Sequence, residues 1–235
     1  DIQLGNTLTT PHHLGMKFNA IVSNPPYSKS WEGKNNTILI NDVRYSPAGV
    51  LAPIQRSDLA FTMHMLYHLS ETGTCAIVEF PGVLYRGGAE KKIREYLIKN
   101  NFVDTVIQLP ANLFFGVGIA TCIIVIKKNK KDNNILFVDA SEECEKKGDK
   151  NKLEDENQNR IVNAYQERKE EQYFTKLVSN DEVLANGANL SVSSYVEKED
   201  KREVIDIVAL NEEIEALSKD VRNRSVELDE MIKEL

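Results

Sequence analysis

The chain has 235 residues, 41% of them hydrophobic and 28% charged, with 12 glycines and 7 prolines, which excludes a disordered, collagen-like or fibrous protein and allows one large domain with an appendage. Its longest apolar run, Cys122 to Ile126, is of strand length and far short of the ~20 residues that span a bilayer, so no membrane partner is expected. The net charge of −7 divides into +2 over residues 1–57, +1 over 58–140 and −10 over 141–235; a nucleic-acid partner would meet the first part, although a solvated acidic tail on a neutral domain fits the same numbers.

Phe18 to Ser23 is a short apolar run that ends in Asn24-Pro25-Pro26-Tyr27. A proline pair neither continues a sheet ladder nor sits inside a helix, so a strand running into a fixed loop is predicted. Ser28 to Arg56 is rich in Asn, Gly, Pro and Ser, too long for a simple connection and of the kind that carries function or motion. Asp58 to Leu69 repeats its apolar positions at helical spacing, with Gly73 as a stop. A strand over Cys75 to Phe80, a Gly87-Gly88 turn and a helix over Ala89 to Lys99 follow. Val103 to Leu109, Thr121 to Lys127 and Ile135 to Val138 read as further strands.

Strands alternating with helices predict an α/β fold on a parallel sheet with right-handed crossovers. The polar turn Lys128 to Asn134 is too short for a crossover, so the strands on either side of it are expected as an antiparallel addition at one edge. Residues 142–160 are dense in Glu, Lys, Asn and Asp and read as an exposed link. A helix over Ile161 to Leu177 and a closing segment over Glu182 to Val196 complete this part. Beyond it, Ile207, Leu210, Ile214, Leu217, Val221, Leu228, Met231 and Leu235 keep alternate spacings of three and four, broken only at Arg224. An apolar stripe on an otherwise charged helix needs a partner helix or its own domain to bury it.

Chemistry concentrates at Asn24-Pro25-Pro26-Tyr27, on the strand edge where open α/β sheets bind ligands. An exocyclic aromatic amine is a poor nucleophile, because its lone pair is delocalised into the ring. The Asn24 side-chain carbonyl and the Pro25 backbone carbonyl can each accept one of its N–H groups, holding the nitrogen and favouring tetrahedral geometry as it attacks. The prolines fix φ and remove a competing donor, and Tyr27 offers a face on which an extruded base can stack. A strand-ending turn with Tyr27 over the core could use the same letters.

Weaker signals accompany it. Cys75, Cys122 and Cys144 stand far apart without a CxxC pair, which argues against a disulfide framework or zinc site and for a reducing, cytoplasmic setting. His12-His13, and His64 with His68 at i, i+4, lack a Glu-x-x-His companion, and no metal is expected. Arg86-Gly87-Gly88 fits a phosphate site or merely a helix-initiating turn.

The segments FNAIVSNPPYS (18–28), DLAFTMHMLYHL (58–69), FPGVLYRGGAEKKIREYLI (80–98), LPANLFFGVGIATCIIV (109–125), FVDAS (137–141) and ANLSVSSYV (188–196) together resemble the modification subunits of Type I restriction-modification systems. The resemblance implies transfer of a methyl group from S-adenosylmethionine to N6 of adenine in DNA. It also implies four partners: DNA, a specificity subunit, a second modification subunit and a restriction subunit. On this resemblance Asn24, Pro25, Pro26 and Tyr27 hold the flipped adenine, Phe115 is a second wall of the base pocket, and Asn24 borders the cofactor. The family's Gly-rich cofactor turn precedes its Asn-Pro-Pro-Tyr and is not found in this sequence. Phe114 to Gly118 has matching letters but leads into a β-branched run rather than a helix. The expectation is therefore the carboxyl-terminal half of a Rossmann-like methyltransferase fold, a mixed sheet with antiparallel edge strands, with most of the cofactor site upstream. Its expected parts are a base-binding catalytic half over 1–141, an acidic linker and extension over 142–202, and an amphipathic assembly helix over 203–235. Alternatives are a methyltransferase acting on a protein or RNA amine, and a non-catalytic assembly module.

Overall fold

The computed structural model describes residues 1–116, 118–199 and 206–233. The chain forms two compact units, Asp1–Lys198 and Glu199–Leu235. In chain order the elements of the first are β1 (Phe18–Ser23), α1 (Thr37–Ile40), α2 (Asp58–His68), β2 (Leu69–Glu79), α3 (Ala89–Lys99), β3 (Val103–Gln108), β4 (Cys122–Lys127) and β5 (Asn134–Asp139). A small hairpin of β6 (Glu145–Lys147) and β7 (Lys150–Lys152) then leads to α4 (Asp155–Glu167), β8 (Thr175–Ser179) and α5 (Asn180–Ala185).

Six strands make one mixed sheet in the order β1-β2-β4-β3-β5-β8. β1, β2, β3 and β5 run parallel, and β4 and β8 run against them. An antiparallel strand does close one edge, but it is β8. The expected pairing of 121–127 with 135–138 does not occur, because β3 lies between them and pairs with both. The physical reason is visible in β4 itself. Its five consecutive apolar residues, Cys122 to Ile126, bury or half-bury both faces, and only an interior strand offers cover on two sides.

α2 runs into β2 without a gap, so Gly73 lies inside the strand rather than ending the helix. The β1–β2 register slips between Phe18 and Ala20. A Cβ at Gly73 would meet Leu69 Cδ1 at 2.7 Å and the Phe18 carbonyl oxygen at 2.8 Å, so glycine is required by close approach.

Residues 142–160, expected as a polar link, instead carry β6, β7 and the first turns of α4. The helix starts on a reciprocal cap, in which the Glu154 side chain accepts from the Asn157 backbone and the Asn157 side chain accepts from the Glu154 backbone. It also stops earlier than expected, at Glu167, where Arg168 takes a left-handed φ of 51°. The remainder of 161–177 turns back and enters β8, so the sheet draws a strand from beyond residue 141.

Leu59, Met63 and Leu66 of α2, Ile93 and Leu97 of α3 and Val183 of α5 share one apolar core with Cys75, Ile77, Ile124 and Phe137 of the sheet. A smaller core joins Ile107, Leu136 and Val138 to Ile161 of α4 and Phe174. Helices thus cover both sheet faces at the β3–β5 end. Among the described residues, no helix is long and apolar enough to cross a membrane.

In the second unit α6 (Ile207–Lys233) is one continuous helix, about 40 Å long at 1.5 Å per residue. Its stripe residues from Ile207 to Met231 stand between 43% and 70% exposed. Arg224, the break in the stripe, donates to Asp220 one turn earlier at 3.0 Å. Leu235 and residues 203–205 lie outside the described residues.

Candidate active site

The four parallel strands end at Ser23, Glu79, Gln108 and Asp139, and Asn24-Pro25-Pro26-Tyr27 leaves the first of these tips. Pro25 is buried, Asn24 and Pro26 are exposed, and Tyr27 is half-buried. The Tyr27 hydroxyl donates to Asn24 Oδ1 at 2.6 Å. The structure therefore brings the predicted carboxamide and aromatic ring together, and Asn24 Oδ1 keeps a second lone pair.

The far end of the loop is tied down from below. Ser28 takes a left-handed φ of 49°, and its backbone N–H donates to Asp58 Oδ1 at 2.7 Å. Asp58 opens α2 and is buried. Beside it the β2 tip carries Glu79, whose Oε1 accepts from Thr62 Oγ1 at 2.9 Å. Burial first, and then the Asp58 charge, push the Glu79 carboxyl up to about 8. Glu79 Oε2, Asp58 Oδ2 and Ser57 Oγ are buried without a partner. The Tyr27 phenol is raised by burial and then by Glu79 and Cys122, so its hydroxyl lies within electrostatic reach of the β2 tip. Glu90 closes the acidic floor, paired with Arg56 at 3.2 Å and Arg86 at 3.6 Å.

These acids were missed in the sequence. The available signal was Glu79 itself, an ionisable residue ending the apolar strand Cys75-Ala76-Ile77-Val78, since an acid in a buried run needs a reason.

Phe115 sits in the loop between β3 and β4, is 99% exposed, and is followed by Gly116 at φ 73°. Val117, between the two glycines, lies outside the described residues. The loop leads into β4 and not into a helix, so Phe114 to Gly118 does not supply the ring of helix N-terminal amides that a cofactor turn needs.

The histidines are held by ordinary contacts. His64 Nδ1 lies 3.0 Å from the buried Arg44 guanidinium, and His68 Nδ1 lies 3.1 Å from the Met16 carbonyl. Burial, then His68 and Arg44, hold the His64 pKa down at about 3. Cys75 and Cys122 are buried free thiols and Cys144 is a half-buried one. Arg86 lies over the Phe80 ring and leans toward Glu90, so the guanidinium at the start of α3 is engaged by a carboxylate.

Comparison with known proteins is consistent along the chain. The family model described as N-6 DNA Methylase matches residues 1–204. The Type I restriction enzyme MpnII methylase subunit of Mycoplasma pneumoniae is 45% identical over 220 residues, which are 92% of this chain and 40% of that protein. The MjaVII methylase subunit of Methanocaldococcus jannaschii is 32% identical over 244 residues, 99% of this chain and 41% of that one. Among solved structures, the type I restriction-modification methyltransferase subunit of Streptococcus thermophilus superposes with a TM-score of 0.78 at 39% identity, covering 82% of this chain and 41% of that chain. The chain spans about two fifths of the length of these relatives.

Proposed function

Because this chain belongs to the N-6 DNA methylase family, we propose that it supplies the base-holding half of a Type I modification subunit, which transfers a methyl group from S-adenosylmethionine to N6 of adenine in DNA. The observation that carries the reading is the pairing of Asn24 and Tyr27 at the tip of β1. An extruded adenine laid on the Tyr27 face brings its amino group to the Asn24 and Pro25 oxygens. Each oxygen accepts one N–H, so the nitrogen is fixed and its lone pair is turned out of conjugation toward the methyl donor. The amine becomes acidic as it is alkylated, so no strong base is required. Phe115, exposed on the same sheet edge, is proposed as the second wall around the base.

The remainder of the cofactor site is proposed to lie in the part of the longer subunit that this chain does not span. Calorimetric titration of these residues alone with S-adenosylmethionine should show weak binding or none; micromolar affinity would reject that assignment. Partners under this reading are duplex DNA, a specificity subunit that docks on α6, a second modification subunit and a restriction subunit, in the cytoplasm.

The deciding experiment is Asn24→Ala in the intact subunit. Methylation of duplex DNA should be abolished while DNA binding by the assembled enzyme stays nearly unchanged. Retained transfer to N6 would refute the base-holding role.

A further inference from the structure

Asn24 to Tyr27 form a bridge between two anchors, β1 on one side and Ser28 on the other. Within the bridge few torsions are soft. Pro25 and Pro26 have φ fixed by their rings, and Asn24 and Pro25, each preceding a proline, are held to extended ψ. The freedom that remains sits at the Asn24 φ, where β1 holds the chain, and from the Pro26 ψ through Tyr27 to Ser28. Ser28 occupies the left-handed region, φ 49°, which a residue with a Cβ adopts only under local constraint. Its own N–H is held by a 2.7 Å hydrogen bond to Asp58 Oδ1, and the next residue is tied to the same helix start, the Lys29 carbonyl accepting from the Ser57 N–H at 3.0 Å. Asp58 is in turn rigid, being 1% exposed on the first turn of a helix whose Leu59, Ala60 and Met63 belong to the main core.

We infer that Asp58 is a positioning residue for methyl transfer: by clamping the Ser28 amide it sets the Tyr27 ring and the Asn24 carboxamide in the orientation that holds the substrate amine. The inference rests on the function proposed above. Asp58 does not touch the base; it acts through the backbone, using one carboxylate oxygen as an acceptor. Release of the clamp lets the ring and carboxamide drift together. Small displacements of a positioning group are expensive in rate, on the order of a hundredfold for 1 Å, while β1, which delivers the loop, stays paired with β2. The same carboxylate also favours the start of α2 through the helix dipole, so loss of stability alone is not the diagnostic readout.

The test uses the intact subunit in its assembled enzyme, acting on duplex DNA. Asp58→Ala should lower kcat about tenfold or more, with the KM values for DNA and for the methyl donor within about twofold of the parent. Asp58→Asn keeps an acceptor oxygen in place and should restore kcat to within about threefold. An unchanged kcat in Asp58→Ala overturns the inference, as does an Asp58→Asn enzyme equally impaired at equal melting temperature. If Asp58→Ala melts too early to assay, amide exchange on the unaltered subunit decides. Slow exchange at Ser28 supports the clamp, and exchange at the rate of free peptide removes it. Asn24→Ala in parallel separates the two levels. Retained methylation there defeats the base-holding reading and this inference together, whereas its loss beside an unaffected Asp58→Ala defeats only the clamp.

Discussion

The Tyr27 hydroxyl and the Asn24 carboxamide oxygen lie 2.6 Å apart, joined by a hydrogen bond that crosses the proline pair. The bond orients the carboxamide and occupies one of its two acceptor sites, so Tyr27 restrains its neighbour in addition to the stacking face proposed for it. The two contributions can be separated. Tyr27→Phe keeps the ring and releases Asn24, and should lower kcat by about three- to tenfold with DNA affinity unchanged, in line with one net hydrogen bond of about 1 kcal/mol. Tyr27→Ala loses the platform as well, and stacking of about 1–3 kcal/mol per base should disappear from binding of the extruded base. 2-Aminopurine at the target position reports this by fluorescence. Equal rates for Tyr27→Phe and Tyr27→Ala would show that the ring itself contributes nothing.

Glu79 makes stability depend on pH in an unusual direction for a carboxylate. Its carboxyl in the folded chain is raised to about 8 against an ordinary value of 4.5. Between those values the folded state holds a proton that the unfolded state has released, so stability is fully present below about 4.5 and is lost as pH rises toward 8. Glu79→Gln keeps an oxygen to accept from Thr62 and removes the ionisable proton whose release costs stability above about 4.5. Its melting temperature should exceed that of the parent by a few degrees at pH 8, with a smaller gain at pH 5. A gain that is larger at pH 5 would contradict the assignment.

Local signals carried most of the fold. The helix over Ala89 to Lys99 is legible because Ile93 and Leu97 share a face between a Gly-Gly start and a polar stop. The strand over Phe18 to Ser23 is legible because prolines must end it. What failed was pairing. Nothing adjacent in sequence says that Cys122 to Lys127 inserts between β2 and β3, since that placement depends on which faces remain uncovered once the crossover helix has packed. The acidic stretch after Ser141 misled for a related reason, because a solvated hairpin and a capped surface helix have the composition of a link. At the site, Asn24 and Tyr27 could be named from chemistry. Asp58 could not, and Glu79 was marked only as an acid ending an apolar strand, because both approach the loop through α2 and β2 from some thirty residues away for one and fifty for the other.

Arg44 holds the amino-terminal segment onto the fold. It is 1% exposed and donates to the carbonyls of Thr7 and Leu8, to both Asp42 oxygens and toward His64 Nδ1. Arg44→Met keeps the bulk but strips the Thr7 carbonyl and Asp42 Oδ2 of their donor, while Leu8 still accepts from the Tyr45 hydroxyl and Asp42 Oδ1 from the backbone N–H of residue 44; it should destabilise by about 3–5 kcal/mol in urea unfolding. The neighbouring His64, whose folded pKa is depressed to about 3, stays neutral where an unfolded histidine of 6.5 takes up a proton. Stability is therefore fully present above about 6.5 and falls as pH drops toward 3. His64→Gln should flatten that fall between pH 7 and pH 5; an unaltered slope would rule His64 out as its source.

The stripe of α6 is the element proposed to meet the specificity subunit, and the helix provides its own control. Leu217 and Val221 lie on the stripe, whereas Val226 is an equally exposed apolar residue away from it. An aspartate lowers intrinsic helix propensity by a few tenths of a kcal/mol in place of Leu217 and hardly at all in place of either valine, but only the first two place a charge in the seam that a partner helix would bury. In the intact subunit, Leu217→Asp and Val221→Asp should each weaken capture by the specificity subunit at least about tenfold, with Val226→Asp close to the parent. Removal of residues 203–235 should abolish capture. Equal losses at Val221 and Val226 would mean that helix content rather than the stripe governs assembly, and undiminished capture after the truncation would assign docking to another surface.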